Sequence, residues 1–398
     1  MKNVAIIGGG AAGCFCAAEA ARLHPDWSVS VFEAGPRLMA KLAVTGGGRC
    51  NITNSFEGVE SLSEVYPRGA NLMKRLLHSF GPDDCLRWFG DLGVEFTVQP
   101  DHCVFPVSQD AMQIVRTLEP QMRQGGVRVF CKRRVTAIDA DLTVHYTDDA
   151  GSGSVRPDAV VVTTGGGTAK QILSGTGIEL VPDVPSLFTF KLADSGIQSL
   201  MGTVVENVTL GLTGTRFRSH GTLLLTDWGV SGPATLRLSS YAARWLAENQ
   251  YRGTLMINWL DSSEEEIRER LAAMSDGTRT VANSHPAELS DRLWKMLVGR
   301  AGIRPEARWA ELGNKGLARL INTLLADNYE ISGRARFKEE FVTCGGVSLN
   351  EVRPDSLESR RIPGLFFAGE VLDIDAVTGG FNLQAAWTTA STVSHAIM

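Results

Sequence analysis

Three glycines near the amino terminus, Gly8, Gly10 and Gly13, stand at a spacing suited to holding a phosphate group. They link an apolar run, Val4-Ala5-Ile6-Ile7, to an alanine-rich stretch, Ala11 to Leu23, with the character of a helix. In such a strand–turn–helix unit Gly8 permits the tight bend, Gly10 lets backbone approach a pyrophosphate, and Gly13 lets the helix pack close to the strand. The N–H groups at Ala11 and Ala12 and the positive end of the helix then face the anion. A second strand, Ser28-Val29-Ser30-Val31-Phe32, ends at Glu33. That carboxylate lies about 20 residues past the glycines, where it can accept hydrogen bonds from adenosine ribose hydroxyls. The chemistry expected is the holding of a dinucleotide.

Three further segments carry residues of the same kind. Lys41 to Asn54 contains Thr45-Gly46-Gly47-Gly48-Arg49-Cys50-Asn51 and cannot be a regular helix or strand. Lys41 and Arg49 can neutralise a pyrophosphate or an anionic substrate, and Asn51 and Asn54 can bond the rim of a polar ring. The alternative is a solvated loop, against which stands the entropy of ordering three consecutive glycines without a ligand. Ala159-Val160-Val161-Val162 is an apolar run that breaks into Thr163-Thr164-Gly165-Gly166-Gly167. It fits the middle of a parallel sheet, with Thr164, Gly165 and Gly166 beside the dinucleotide. It is no second cofactor fingerprint, because the spacing and the helix ending in an acid are missing. Near the carboxyl end, Leu365-Phe366-Phe367-Ala368-Gly369-Glu370 delivers an acid at the end of a strand, and Asp373 to Ala386 enters a helix.

The run from Gly46 to Asn54 resembles the Gly-Gly-Gly-Arg-Cys-Asn-x-Thr-Asn element of the BaiN-like or aminoacetone-oxidase-like family of bacterial FAD-binding enzymes, and the likeness extends to both ends of the chain. The resemblance implies FAD as cofactor, with NAD(P)H as a candidate reductant. It implies that backbone near Val135 contacts adenine and that Glu370 reaches the ribityl chain. It also implies that the helix entered through Gly379, Gly380, Phe381, Asn382, Gln384 and Ala385 faces the flavin pyrimidine, where its N–H groups stabilise charge at N1 and O2. Cys50 stands near the place of a redox cysteine in disulfide reductases, but no partner cysteine follows, so a dithiol mechanism is not implied. Arg49 and Cys50 are expected nearest the isoalloxazine, with a structural role for Cys50 weighed at least equally with a chemical one. The chain departs from the family at His102-Cys103, Asp227, Ala376 and Phe381, where Gly-Arg, His, Gly and Tyr are usual. No catalytic acid or base is assigned.

These residues need an α/β scaffold. Helical periodicity runs over Ala111 to Gln124, and residues from about 64 to 98 read as helices with turns at Gly69 and Gly81-Pro82 leading into a short strand at 94–98; further strands are expected at 127–130 and 135–138. From about 188 to 260 short strands with Gly and Thr turns suggest a barrel-like unit, in which Ser231 is the expected cap of a helix opening at Pro233. Residues 261–332 read as helices. The fold expected is an FAD-binding Rossmann-type, glutathione-reductase-like α/β domain from 1–187 and 333–398, with an inserted domain over 188–332. Asp227 and Ser231 are its candidates for lining a substrate cavity between flavin and insertion.

A chain of 398 residues with 43% hydrophobic content can bury a large core. Its net charge of -5 and scattered basic residues leave no electrostatic footprint for nucleic acid, and no apolar run suggests a membrane partner. The seven cysteines form no Cys-x-x-Cys pair, so neither a disulfide framework nor a metal site is expected, and the compartment expected is the cytoplasm. The oligomeric state is left open. The leading reading is an FAD-dependent oxidoreductase that reduces an activated double bond or oxidises an amine or alcohol on a small molecule. A flavin-dependent RNA-modifying transferase and a non-catalytic flavin-binding protein are the alternatives.

Overall fold

The computed structural model describes residues 2–275, 279–335 and 342–397. Apolar runs build a five-stranded parallel sheet in the order Leu365–Phe367, Ala159–Val162, Asn3–Ile7, Ser28–Phe32, Arg128–Phe130. Val4 to Ile7, Val29 to Phe32 and Ala159 to Val162 are buried, as strands covered on both faces must be. From the first strand the chain builds outward on one side through Ser28–Phe32 to Arg128–Phe130, then crosses to Ala159–Val162 on the other. The order therefore reverses beside Asn3–Ile7, the position at which open α/β sheets bind ligands beyond their strand ends.

Helix Ala11–Leu23 packs against the terminal helix Phe381–Ala396. The facing small residues let the two approach closely, and Phe15 meets Trp387 with ring centres 5.6 Å apart. An antiparallel meander, Arg134–Ile138, Val144–Asp148 and Gly151–Val155, follows the last strand on the first side. A small sheet joins Thr53–Asn54, Cys103–Pro106 and Phe96–Val98. The sequence Phe341-Val342-Thr343-Cys344-Gly345-Gly346-Val347 reads as a strand meeting glycines; Phe341 lies outside the described residues, and Val342–Val347 is a strand.

The chain divides into two compact units, Met1–Val184 with Val342–Met398, and Pro185–Phe341. In the second, six antiparallel strands close a barrel in the order Phe190–Leu192, Gly229–Ser231, Arg218–Thr226, Val204–Leu212, Gly253–Asn258, Asp327–Arg334. Two expectations need correction here. The helical stretch is spliced between the fifth and sixth strands, so the barrel is not finished by residue 260. Ser231 ends a strand rather than capping a helix; Gly232, with φ at 94°, is the cap of Pro233–Tyr241, and a Cβ there would lie 2.8 Å from Thr222 O. The closing strand carries buried Asp327, which accepts from Trp259 Nε1 at 3.1 Å and is paired with Arg300 at 2.8 Å. Burial pushes this carboxyl up, opposed by Tyr329 and Arg300. No helix among the described residues is long and apolar enough to cross a membrane.

Candidate functional site

The first strand delivers its glycines to a turn that no larger residue could make. Gly8 has φ at 108°, and a Cβ there would lie 2.6 Å from Thr163 O; a Cβ on Gly13 would lie 1.9 Å from Gly8 O. Thr163 Oγ1 donates across the strand ends to Gly8 O at 2.8 Å. At Gly10 a Cβ would meet nothing within 4 Å, so this face is open. Gly10 caps Ala11–Leu23 without a side-chain acceptor. The first-turn N–H groups at Ala11, Ala12 and Gly13 thus lack intrahelical partners and suit an anion.

Glu33 is half-buried and braces this turn. Gly9 N–H donates to Oε2 at 2.7 Å and Gly35 N–H to Oε1 at 2.6 Å. A carboxylate has about four acceptor positions, so two bonds leave room for a diol. The side of the site formed by the meander is organised by Arg133, which the sequence reading passed over. Its N–H donates to Glu33 O at 2.9 Å, and its guanidinium lies 4.3 Å from the Phe130 ring centre and 4.5 Å from that of Tyr146. Val135 follows in a buried position.

On the other side of the first strand, Ala12, Thr164, Gly165, Gly166, Gly369 and Glu370 come together. A Cβ on Gly369 would lie 2.9 Å from the Ala12 Cβ, one on Gly165 3.3 Å from Glu370 Oε2, and one on Gly166 2.3 Å from the Thr343 Cβ. Glu370 Oε1 accepts from Thr343 N–H at 2.8 Å, and Lys41 Nζ lies 3.8 Å from Oε2. Asp373 N–H donates to Val347 O at 3.0 Å. Asp183, also absent from the sequence reading, belongs to this group: burial first, then the charges of Glu370 and Asp373, raise its carboxyl above the usual range.

The Lys41–Asn54 segment turns through three left-handed glycines, with φ of 57°, 69° and 83° at Gly46, Gly47 and Gly48, before it joins the strand Thr53–Asn54. It is stitched to the start of the terminal helix. Asn51, with its amide oxygen turned to Gly380, accepts from Gly380 N–H at 3.2 Å and donates to Thr53 O at 2.9 Å. Asn54 Nδ2 donates to Gly379 O at 3.0 Å. A Cβ on Gly380, whose φ is 89°, would lie 2.3 Å from Thr53 O. The amides expected to meet a ligand rim are thus engaged with the fold. So are two others: Asn382 bridges back to Ala376, and fully buried Gln384 accepts from Thr53 Oγ1 at 2.6 Å and donates to Thr388 Oγ1 at 2.9 Å. What Phe381, Asn382 and their successors at Gln384 and Ala385 offer is a helix N-terminus, with Phe381 itself buried against Phe56 and Tyr66.

Cys50 also needs correction. Its side chain is fully buried near Cys85 rather than facing a ligand, and burial pushes its thiol up to about 12. A neutral, enclosed thiol is a packing group. Arg49, by contrast, is exposed, with its guanidinium 4.4 Å from the Phe105 ring centre. Asp227 is exposed and Ser231 partly buried at a barrel hairpin. Among the described residues no group of three or more His, Cys, Asp or Glu could hold a metal ion.

Residues 2–396 match the HI0933-like protein Rossmann domain family. The chain is 28% identical over 407 residues to the 3-dehydro-bile acid delta(4,6)-reductase of Clostridium scindens, an alignment covering 98% of this chain and 97% of the relative. It is 30% identical over 397 residues to the ribosomal RNA dihydrouridine synthase of Escherichia coli, covering 97% and 95%. Its fold is similar to that of the 3-ketosteroid-delta4-(5alpha)-dehydrogenase from Rhodococcus jostii, with a TM-score of 0.51 at 14% identity over 100% of this chain and 97% of that one.

Proposed function

For a chain that belongs to the HI0933-like protein Rossmann domain family and is an FAD-dependent oxidoreductase, we propose the reduction of a carbon–carbon double bond conjugated to a carbonyl group. The observation that carries this reading is the chemistry shared by the two relatives' names. A delta(4,6)-reductase acting on a 3-oxo ring and an enzyme that forms dihydrouridine both saturate such a bond. Oxidation of an amine or alcohol has no comparable support.

The residues fit FAD. The open face at Gly10, with the first-turn N–H groups of Ala11–Leu23, suits a pyrophosphate; Glu33 suits the ribose diol; Glu370 suits the ribityl hydroxyls; and the N-terminus of Phe381–Ala396 suits the electron-rich pyrimidine edge. Bound FAD would supply two-electron redox chemistry that no side chain here possesses. The chain's own part is to bind it, orient it and stabilise developing charge. NAD(P)H is the reductant we assign, taken up without a second Rossmann fingerprint, since the sequence carries one only.

The substrate we favour is a small apolar enone, given the net charge of -5 and the scattered basic residues. A uridine within ribosomal RNA is the second reading, favoured by the relative at 30% identity. The test is to purify the yellow protein, reduce it anaerobically with NADH or NADPH, and follow flavin reoxidation by a 4-en-3-one steroid and by rRNA lacking dihydrouridine. Reoxidation by the steroid supports the proposal, reoxidation by RNA alone selects the second reading, and turnover only with amines or alcohols refutes both.

A further inference from the structure

We propose that Arg49 binds the carbonyl oxygen of the substrate, rather than the cofactor's pyrophosphate; this rests on the double-bond reduction proposed above. Arg49 is exposed, and among the described residues it has no carboxylate partner. Its position is nevertheless held: Nε donates to Gly46 O at 3.2 Å, and the guanidinium carbon lies 4.4 Å from the ring centre of buried Phe105. Two other cations of the same unit do have carboxylate partners, Lys41 at 3.8 Å from Glu370 and Arg68 on buried Asp375. An arginine held over an aromatic ring, with no hydrogen bond from its terminal N–H groups among the described residues, is preorganised for a planar acceptor.

Its place in the chain separates the two roles. The pyrophosphate-binding turn is Gly8 to Gly13, braced by Glu33. Arg49 lies on the other element, the turn that Asn51 and Asn54 stitch to Gly379 and Gly380 at the start of the terminal helix. Next to it, Gly47 and Gly48 leave open space where side chains would stand, with nothing within 4 Å of either added Cβ. Val44 in the same segment is 55% exposed, an apolar surface suited to the body of a conjugated ring. Both features suit a flat carbonyl compound better than a diphosphate.

Bound FAD, once reduced, would supply the hydride equivalent, which the β-carbon of the substrate takes up with its electron pair. The π pair of the double bond shifts to join the α-carbon to the carbonyl carbon, and the carbonyl pair moves onto oxygen. Arg49 donates to that oxygen as the charge grows. A proton from solvent then adds to the α-carbon and the carbonyl reforms, so one hydride and one proton are consumed. Donors aimed at such an oxygen act by favouring the charge-separated state over the neutral one.

The test uses Arg49→Met and Arg49→Lys, with two binding titrations beside turnover. FAD affinity is measured on apo-protein. Binding to the oxidised holoenzyme of a para-substituted phenol, whose phenolate mimics the charged oxygen, is followed by long-wavelength charge-transfer absorbance. We expect FAD affinity within twofold of wild type in both variants. In Arg49→Met, phenol affinity falls at least tenfold and kcat on an enone falls about 10²–10³-fold, the usual loss for one such donor, with Arg49→Lys in between. A tenfold loss of FAD affinity with phenol binding unchanged places Arg49 on the cofactor and overturns the inference. Should Arg49→Met not fold, the same two titrations on Arg49→Lys decide. Failure of the wild type to reduce any conjugated double bond counts against the proposed reaction; a wild type that turns over as fast as both variants counts against Arg49 alone.

Discussion

Replacing Glu33 tests the adenosine end of the site and separates two roles of one carboxylate. In the structure it accepts from Gly9 N–H at 2.7 Å and Gly35 N–H at 2.6 Å, so Glu33→Ala removes two charge-assisted bonds from the turn that shapes the site. Such bonds contribute about 1.5–3 kcal/mol each when buried, and the half-exposed setting argues for the lower end, giving about 2–3 kcal/mol of lost apo-protein stability. If the remaining lone pairs hold the ribose diol, FAD affinity falls by a further amount of about 1–3 kcal/mol, or about 5- to 150-fold. Urea denaturation of the apo-protein reads the first effect and fluorescence titration with FAD the second. FMN, which lacks the adenosine, provides the control and should bind variant and wild type alike. An FAD affinity within twofold of wild type, alongside the expected loss of stability, would refute the ribose assignment and leave Glu33 as a brace for the turn.

Alkylation of the native protein with iodoacetamide at pH 8 should modify exposed Cys131 slowly and spare the other six cysteines, which are buried; labelling of Cys50 in the folded protein, found by peptide mapping, would contradict a thiol pushed up to about 12 by its enclosure. Residues 1–187 expressed alone should fail to retain FAD, because the strand Leu365–Phe367, Glu370 and the terminal helix against Ala11–Leu23 are absent; tight FAD binding by that fragment would show that the carboxyl-terminal elements are dispensable. Millimolar sulfite should bleach the oxidised flavin if the N-terminus of Phe381–Ala396 faces the pyrimidine edge, and an unchanged visible spectrum at high sulfite would remove the helix from that place.

The parts legible in the sequence are those whose signal is local. The first strand and turn need only neighbouring residues to be recognised; Ala11–Leu23 follows from the alanine-rich run behind the glycine turn, and Ala111–Gln124 from its helical periodicity. The closing barrel strand was hidden because Asp327–Arg334 buries only two large apolar side chains, Tyr329 and Ile331, and opens with an aspartate whose partners Trp259 and Arg300 are distant in sequence. Nor does the sequence mark that Val204–Leu212 is one continuous strand, since a bulge shifts its register between Val205 and Val208, with Asn207 at φ 52°. In the site, residue type alone could not distinguish a polar side chain offered to a ligand from one used to build the cradle. Asn51, Asn54, Asn382 and Gln384 are of the second kind, and only their bonds to residues as far as 331 positions away reveal it.

The order of strands in the parallel sheet has a consequence for how the protein is made. Ala159–Val162 needs Leu365–Phe367 on its outer edge, yet that strand leaves the ribosome about 200 residues later, a delay of roughly 10–40 s at ordinary synthesis rates. During that interval a fully apolar strand presents an open row of backbone donors and acceptors, the kind of edge that recruits other chains. The barrel unit is synthesised entirely within the same interval and can close before the sheet does. A nascent chain of this design therefore depends on something to shield one strand while the second unit folds. Slowing translation over residues 185–341 should cost soluble yield, and speeding it should recover yield, without any change in the finished molecule.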